Sequence, residues 1–350
     1  VKTLDRRSGW PVGLGMLCGA GLDRVLADPR RGHPVAVYGQ AAARLERVLY
    51  RPSRRRGTAF VLLAVGPVAA AGGLLQARTT GLGRAALTCA ATWAVVGGAM
   101  LGREAELIAD ALEAGDLAEA RRRLPGLCGR DPDALDEKGI ARATVESVAE
   151  NTSDAVVAPL LWGALLGVPG LLGYRAANTL DAMVGHRNAR YERFGWASAR
   201  LDDALNWAPA RLTAALAAVA APVVGGSPAR VRRIRRRFGR RHPSPNAGHC
   251  EAAFAGALEL RLGGRNVYGT RVEHRPELGE GRHPEAADIR RAVRLARAVN
   301  GAAAGVTAAL AGALAARGRL RPARSVRPES FSRRAAGAFA RWGSVPGRVS

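Results

Sequence analysis

Residues 143–162 read ATVESVAENTSDAVVAPLLW, and Glu146, Glu150, Asn151 and Asp154 lead without a break into the uncharged run 155–174. Membrane spans are more often flanked by Lys or Arg. Carboxylates at the mouth of an apolar segment cost free energy unless they hold a cation, a partner charge or a substrate. The stretch therefore reads as part of a membrane-embedded enzyme whose reactive groups sit at the bilayer surface.

Working outward, other apolar runs approach the roughly 20 residues needed to cross a bilayer. They are 59–75, 85–101, 204–227 and 298–316, with a shorter one at 10–22. The pattern predicts an all-α, polytopic integral membrane protein with four to six membrane-embedded segments and structured polar loops. The membrane-embedded catalytic domain takes in residues 1–316, with polar loops at 102–154, 175–203 and 228–297. The Arg-rich tail 317–350 is expected to be disordered. Pro159, Pro169 and four glycines interrupt 155–174. A true span there puts 175–203 across the membrane from 102–154, whereas a broken, re-entrant segment keeps both on one side. Acids and Arg at helical spacing predict one amphipathic helix over 103–123. Asp133 is expected to cap a helix beginning at Ala134 that carries Glu146 and Glu150. Residues 242–289, rich in Gly, Pro and charge, read as a structured loop region.

Composition narrows the partners. The net charge is +24, and only Lys2 and Lys138 are Lys, so the positive charge is almost all Arg. Arg gathers at 51–56, at 230–241 and from Arg317 onward, always beside apolar runs. That placement is the punctuation of cytoplasmic loops. A nucleic-acid module would interleave basic residues with exposed aromatics, and aromatics make up only 5% of the chain. The expected partner is a lipid bilayer and not nucleic acid, in a multi-pass cell-membrane protein with its site on the cytoplasmic side. Cys18, Cys89, Cys128 and Cys250 have no metal-site or redox spacing. There is no Walker-type phosphate loop, no H-E-x-x-H and no G-x-S-x-G.

Five polar clusters are candidates for chemistry. On a continuous helix Glu146, Glu150 and Asp154 fall at i, i+4 and i+8, on one face. Crowded carboxylates suit a divalent cation such as Mg²⁺, which keeps waters and works with phosphates. Pairing with Arg142 is the ordinary alternative. Asn178 and Asp181 also share a helical face, with His186 just beyond them in a loop. Asp202 and Asn206 are one turn apart, while Arg200, Asp203 and Arg211 offer another face for clamping phosphate or carboxylate. In HPSPNAGHCEAAFAGAL, Ser244 and Asn246 precede a helix containing Glu251, and such a helix start can hold an anion. Arg265, Asn266 and Tyr268 belong to a Gly-rich loop, and Asp28 and His33 flank a turn after the first apolar stretch.

Taken together, DPRRGHPV (28–35), ESVAENTSDAVVAPLLW (146–162), NTLDAMVGHR (178–187), ARLDDALNWAPARLT (199–213), SPNAGHCEAAFAGAL (244–258) and LGGRNVYG (262–269), in this order, resemble the CobD/CbiB family of cobalamin biosynthesis. The resemblance covers roughly residues 20–300 and leaves out the Arg-rich tail. It implies a membrane-bound adenosylcobinamide-phosphate synthase. Such an enzyme uses ATP and Mg²⁺ to join the corrinoid adenosylcobyric acid to (R)-1-amino-2-propanol or its O-phosphate.

Under that reading Glu146, Glu150, Asp154 and Asp202 are the expected metal ligands. Asn178, Asp181, Asp203 and Glu150 are the expected catalytic groups. Arg200, Arg211, Ser244, Asn246, Glu251, Arg265, Asn266, Tyr268, Asp28 and His33 are the expected substrate or phosphate contacts. Two rival readings are a membrane carrier for corrinoids and a scaffold gathering other cobalamin-pathway enzymes. Polar residues at broken helices also occur in transporters. Here, however, they sit at segment ends and in loops.

Overall fold

The computed structural model describes residues 10–26, 32–186, 188–268 and 271–320. Within them the chain is an all-α, polytopic membrane protein carrying one small β-hairpin. In order, the helices are α1 (Trp10–Val25), α2 (Pro34–Leu49), α3 (Arg54–Arg78), α4 (Gly81–Val95), α5 (Gly98–Glu113), α6 (Leu117–Arg123), α7 (Glu137–Thr152), α8 (Ala158–Leu166), α9 (Val168–Val184), α10 (Tyr191–Phe194), α11 (Trp196–Ala220), α12 (Pro228–Phe238) and α13 (Ala247–Leu258). Strands β1 (Leu262–Tyr268) and β2 (Arg271–Leu278) pair antiparallel, and α14 (Ala286–Leu320) closes the described chain.

Four helical stretches are long and apolar enough to cross a membrane: Arg54–Arg78, Gly81–Glu113, Trp196–Val224 and Ala286–Arg317. Their bulk points outward. Leu62, Leu63, Leu74 and Leu75 of α3 are exposed, as are Leu14 and Leu17 of α1. Hydrocarbon, not water, is the solvent such faces suit. Small residues hold the bundle together. At Gly15 of α1 an added Cβ would lie 2.5 Å from the Ala85 carbonyl oxygen of α4, so only glycine allows this approach.

The run 155–174 is broken. One π-helical turn, Ser153–Val157, joins α7 to α8. The chain then reverses at Gly167, whose φ of 76° is a left-handed conformation that favours glycine. Gln76 accepts a hydrogen bond from the Val168 N–H at 2.7 Å, satisfying a donor at the start of α9. The hairpin brings Asp202, bonded to Asn178 of α9, into one cleft with Glu150 and Asp154, so part of 175–203 lies beside the end of 102–154. Of the two arrangements open in the sequence, this is the broken one.

Other expectations are corrected. The helix expected over 103–123 is two. α5 ends at Glu113, and Asp116 caps α6 by accepting the Glu119 N–H at 2.9 Å. Asp136, not Asp133, caps α7, accepting the Gly139 N–H at 2.8 Å. α14 runs past the expected domain boundary at 316 as far as Leu320. The rest of the expected tail, 321–350, lies outside the described residues.

The polar cap is built from α5–α7, α12, α13, the hairpin β1–β2 and the first turns of α14. Its centre is α13, every residue of which is buried. The apolar side of amphipathic α12, with Val231, Ile234 and Phe238, packs beneath it. A second apolar cluster joins Phe60 of α3 to Leu180, Val184 and Phe194, fixing the open end of the α8–α9 hairpin against the bundle.

Candidate active site

The π turn is where α7 meets the hairpin, and it delivers Asp154. A π turn widens the helix by one residue per turn and commonly marks functional sites. Asp154 opens into a narrow cleft of about 30 Å³ lined also by Glu150, Asp202, Asp203, Ser244 and Asn246. Segments far apart in sequence thus supply one small polar space.

Asp202 is the best-held of these acids. Asn178 of α9 donates to its Oδ1 at 3.2 Å, and Asn206, one turn along α11, donates to its Oδ2 at 2.9 Å. Tyr174 in turn donates to Asn206 Oδ1 at 2.8 Å, which fixes the amide's orientation. Arg175 reaches Asn178 Oδ1 at 3.4 Å. The Asn246 side chain donates to the Asp203 carbonyl at 2.8 Å and accepts from Arg211 at 3.2 Å. The amides bind the walls of the cleft and leave its acids facing one another.

Those acids resist ionisation. Burial raises the Glu150 carboxyl, and Asp202 and Glu146 add to the shift while Arg275 and Arg130 oppose it. Burial likewise drives Asp154 well above its usual range, with Asp202, Glu150 and Asp181 adding to it. Asp181, in the last turn of α9, is pushed up to about 7 by burial and by Asp202, Asp203 and Glu150. A cation or a proton relieves such crowding.

Among the described residues no three His, Cys, Asp or Glu side chains are grouped to hold one metal ion. The expected four-carboxylate set is therefore not a closed cage. Glu146 in particular is buried, ion-paired with Arg130, and accepts the Gly263 N–H at 2.6 Å. Its role is to tie α7 to the segment before it and to β1. Glu150, Asp154 and Asp202 line one cleft, where no more than two of them together are placed to meet a Mg²⁺ ion. That ion commonly takes one or two carboxylates and completes its shell with waters and substrate phosphates.

Several expected contacts lie elsewhere. Glu251 is buried behind the cleft, its Oε1 3.7 Å from His242 Nε2. Arg265 and Asn266 sit on β1 and not in a loop. Alternation leaves Arg265 exposed and buries Asn266, whose Oδ1 accepts from Arg142 at 3.2 Å. Arg200 and His186 are exposed. His33 caps α2, accepting the Val35 N–H at 3.3 Å. Asp28 and the side chain of Tyr268 lie outside the described residues.

Sequence reasoning missed His242, Arg130 and Arg275. His242 Nδ1 accepts the Ser244 N–H at 3.0 Å, and its Nε2 lies 3.2 Å from Arg275. Burial and Arg275 lower its pKa to about 4. A His next to a Pro in a motif already singled out was the one signal available for it.

A second cavity, about 1530 Å³, lies between α1, α5 and α14. Val156, two residues beyond Asp154 on the π turn, lines it together with Leu17, Gly21, Met100, Arg103 and Arg294.

With this geometry in hand, the relatives are informative. A family profile described as CobD/Cbib protein matches residues 16–296. The "Cobalamin biosynthesis protein CobD" of Mycobacterium tuberculosis (strain CDC 1551 / Oshkosh) is 54% identical over 291 residues, which is 83% of this chain and 93% of that protein. Its namesake from Geobacter metallireducens is 47% identical over 243 residues, 68% of this chain and 76% of the relative. That of Rhodobacter capsulatus is 51% identical over 191 residues, 54% of this chain and 60% of the relative. No solved structure matches the chain. The chain belongs to the CobD/CbiB family of cobalamin biosynthesis.

Proposed function

We propose that the chain is an ATP-dependent amide ligase. It joins a propionate of adenosylcobyric acid to (R)-1-amino-2-propanol or its O-phosphate and yields adenosylcobinamide or its phosphate. The observation that carries this reading is the convergence of Glu150, Asp154, Asp202, Asp203, Ser244 and Asn246 on one cleft. These residues come from separate segments that each carry the family resemblance.

A carboxylate does not condense with an amine until an oxygen becomes a leaving group. An oxygen of the corrinoid carboxylate attacks the γ-phosphorus of ATP and ADP departs, leaving an acyl phosphate. The amine nitrogen then adds to the acyl carbon, the C–O bond to phosphate breaks, and the nitrogen gives up a proton. Asp181 does not line the cleft but interacts electrostatically with its Asp202, Asp203 and Glu150, and as an acid poised near 7 it is suited to take that proton at neutral pH. Mg²⁺ would supply charge neutralisation on the phosphates, and one or two of Glu150, Asp154 and Asp202 would hold it. Asn178 and Asn206 keep Asp202 oriented, and Arg211 stands at the edge of the cleft to meet negative charge. The small cleft, with room for about one water, must widen to admit the reacting groups. The larger cavity exceeds the ~300–1,000 Å³ of typical ligand pockets and is of a size for the corrinoid ring.

Opening of the cleft toward the polar cap, beside the Arg-rich segments, supports a cytoplasmic site. The test is ADP release by detergent-purified protein. The reading expects release to require corrinoid and amine together. Release that ignores either one, or none at all from protein that binds corrinoid, would favour the carrier or scaffold.

A further inference from the structure

Among the described residues many arginines of the polar cap are ion-paired. On α12 itself, Arg230 pairs with Glu259, and Arg233 and Arg237 pair with Glu280. One group is different. Arg211 of α11 points its guanidinium at His249 of α13, with Nη2 to Nε2 at 3.4 Å. Its other bonds go to neutral oxygens, those of Trp207, Pro245 and Asn246. Arg235 of α12 and Arg240, just past the end of α12, direct their charge at the same imidazole. Among the described residues neither Arg235 nor Arg240 has an ion-pair partner, and Arg235 Nε is buried without a hydrogen bond. His249 is 6% exposed, and its Nδ1 is likewise unpartnered.

Arg211 touches the buried imidazole, half-buried Arg235 and exposed Arg240 add positive charge near it, and with no carboxylate among their partners the three repel one another. A shared anion would offset that repulsion. The start of α13 adds the positive end of a helix of 12 residues, with the Ala247 N–H already bonded to Ser244 Oγ and the His249 N–H to the Asn246 carbonyl. Burial and the three arginines lower His249 to about 4, so at neutral pH it offers one N–H and no added charge. Multiple fixed N–H donors and several positive charges match the oxygens of a phosphate dianion better than a single carboxylate. The seat adjoins the acid cleft. Asn246 lines that cleft while its side-chain oxygen accepts from Arg211.

We propose that Arg211, Arg235, Arg240, His249 and the amino end of α13 form a binding seat for a phosphate group beside the acid cleft. The source of that phosphate rests on the ligase reading. It is the O-phosphate of the amine or a phosphate of ATP, and the chemistry of the seat is common to both.

The experiment uses the full chain in detergent and inorganic phosphate as the probe, followed by ³¹P line broadening. Wild type is expected to bind saturably. Arg235→Ala combined with Arg240→Ala is expected to weaken binding about tenfold or more, since each charged hydrogen bond contributes at that level. Arg236→Ala, on the exposed side of α12, is expected to change nothing. Arg240→Ala alone and Arg235→Lys serve where the double variant has a lowered thermal midpoint. Next, KM is compared for ATP and for aminopropanol O-phosphate. A rise confined to the amine phosphate assigns the seat to it, and a rise confined to ATP assigns it to the nucleotide. Phosphate binding that is absent in wild type, or equal in wild type and all variants, overturns the seat. Phosphate binding lost in the variants of a protein that ligates nothing upholds the seat and overturns the ligase reading.

Discussion

Asn178 donates a hydrogen bond to Asp202 across 3.2 Å, joining the open end of the α8–α9 hairpin to the first turns of α11. The bond orients a carboxylate that shares its cleft with Asp154, without neutralising it. Asp202→Asn is therefore expected to lower kcat by about 100-fold or more, the usual scale for a positioned electrostatic group. Asn178→Ala, which only frees the carboxylate to turn, is expected to cost about tenfold. Both are measured as ADP release at saturating substrates, with thermal midpoints to show the fold intact. Equal, near-wild-type turnover in the two variants would contradict these roles.

Glu146 and Glu150 are one helical turn apart but do different work. Glu146 is buried against Arg130, and its removal strands a buried guanidinium. Glu146→Ala is expected to destabilise the protein by about 3–5 kcal/mol. Glu150 faces the cleft, so Glu150→Gln is expected to fold normally and lose turnover. Denaturation in detergent and turnover assays on both proteins separate the roles. A stable Glu146→Ala protein would refute the strut.

The acid cluster gives a pH dependence of definite sign. As the base, Asp181 must be ionised, so turnover is expected to rise as pH increases through about 7. Asp181→Asn is expected to remove about 100-fold of the rate and the pH limb with it. Stability moves the other way. A folded pKa raised above the usual ~4 contributes stability that is complete below that range and is lost as pH rises through about 7. His242 and His249, both lowered to about 4, contribute stability that is present above ~6.5 and lost as pH falls toward 4. Between about pH 6.5 and 8 the carboxyl effect is left alone, so the substrate-free protein should melt lower at pH 8. Asp181→Asn should flatten that slope, and a thermal-melt series over pH decides it.

The larger cavity can be filled without disturbing the fold. A Cβ added at Gly21 of α1 meets nothing within 4 Å, and Gly21 lines the cavity. Gly21→Trp is expected to raise KM for the corrinoid about tenfold or more while leaving KM for ATP unchanged. Unchanged corrinoid KM would place the ring elsewhere.

Much of this was legible in sequence because it was written in local patterns. Apolar runs of the right length gave the bundle, and Pro159, Pro169 and the glycines marked where 155–174 breaks. Asp154, Asp202 and Asn178 were visible as polar groups at the ends of apolar runs. What could not be read depends on distant pairings. Arg130 meets Glu146 across a turn of irregular chain, and Arg211 meets His249 only after α13 packs against α11. The β-hairpin was hidden because a short strand with Gly263 and Gly264 looks like a loop. Its pairing buried Asn266 and turned Arg265 outward, removing one expected phosphate contact.

The central claim is that this cleft makes an amide bond. The most direct test is mass spectrometry of the corrinoid after purified protein receives Mg-ATP and adenosylcobyric acid, with aminopropanol and its O-phosphate in separate tubes. The account predicts a corrinoid heavier by one amine less one water, in at least one tube, with that product absent for Asp202→Asn. An unchanged corrinoid mass in both tubes, from folded wild-type protein that binds corrinoid, would contradict it.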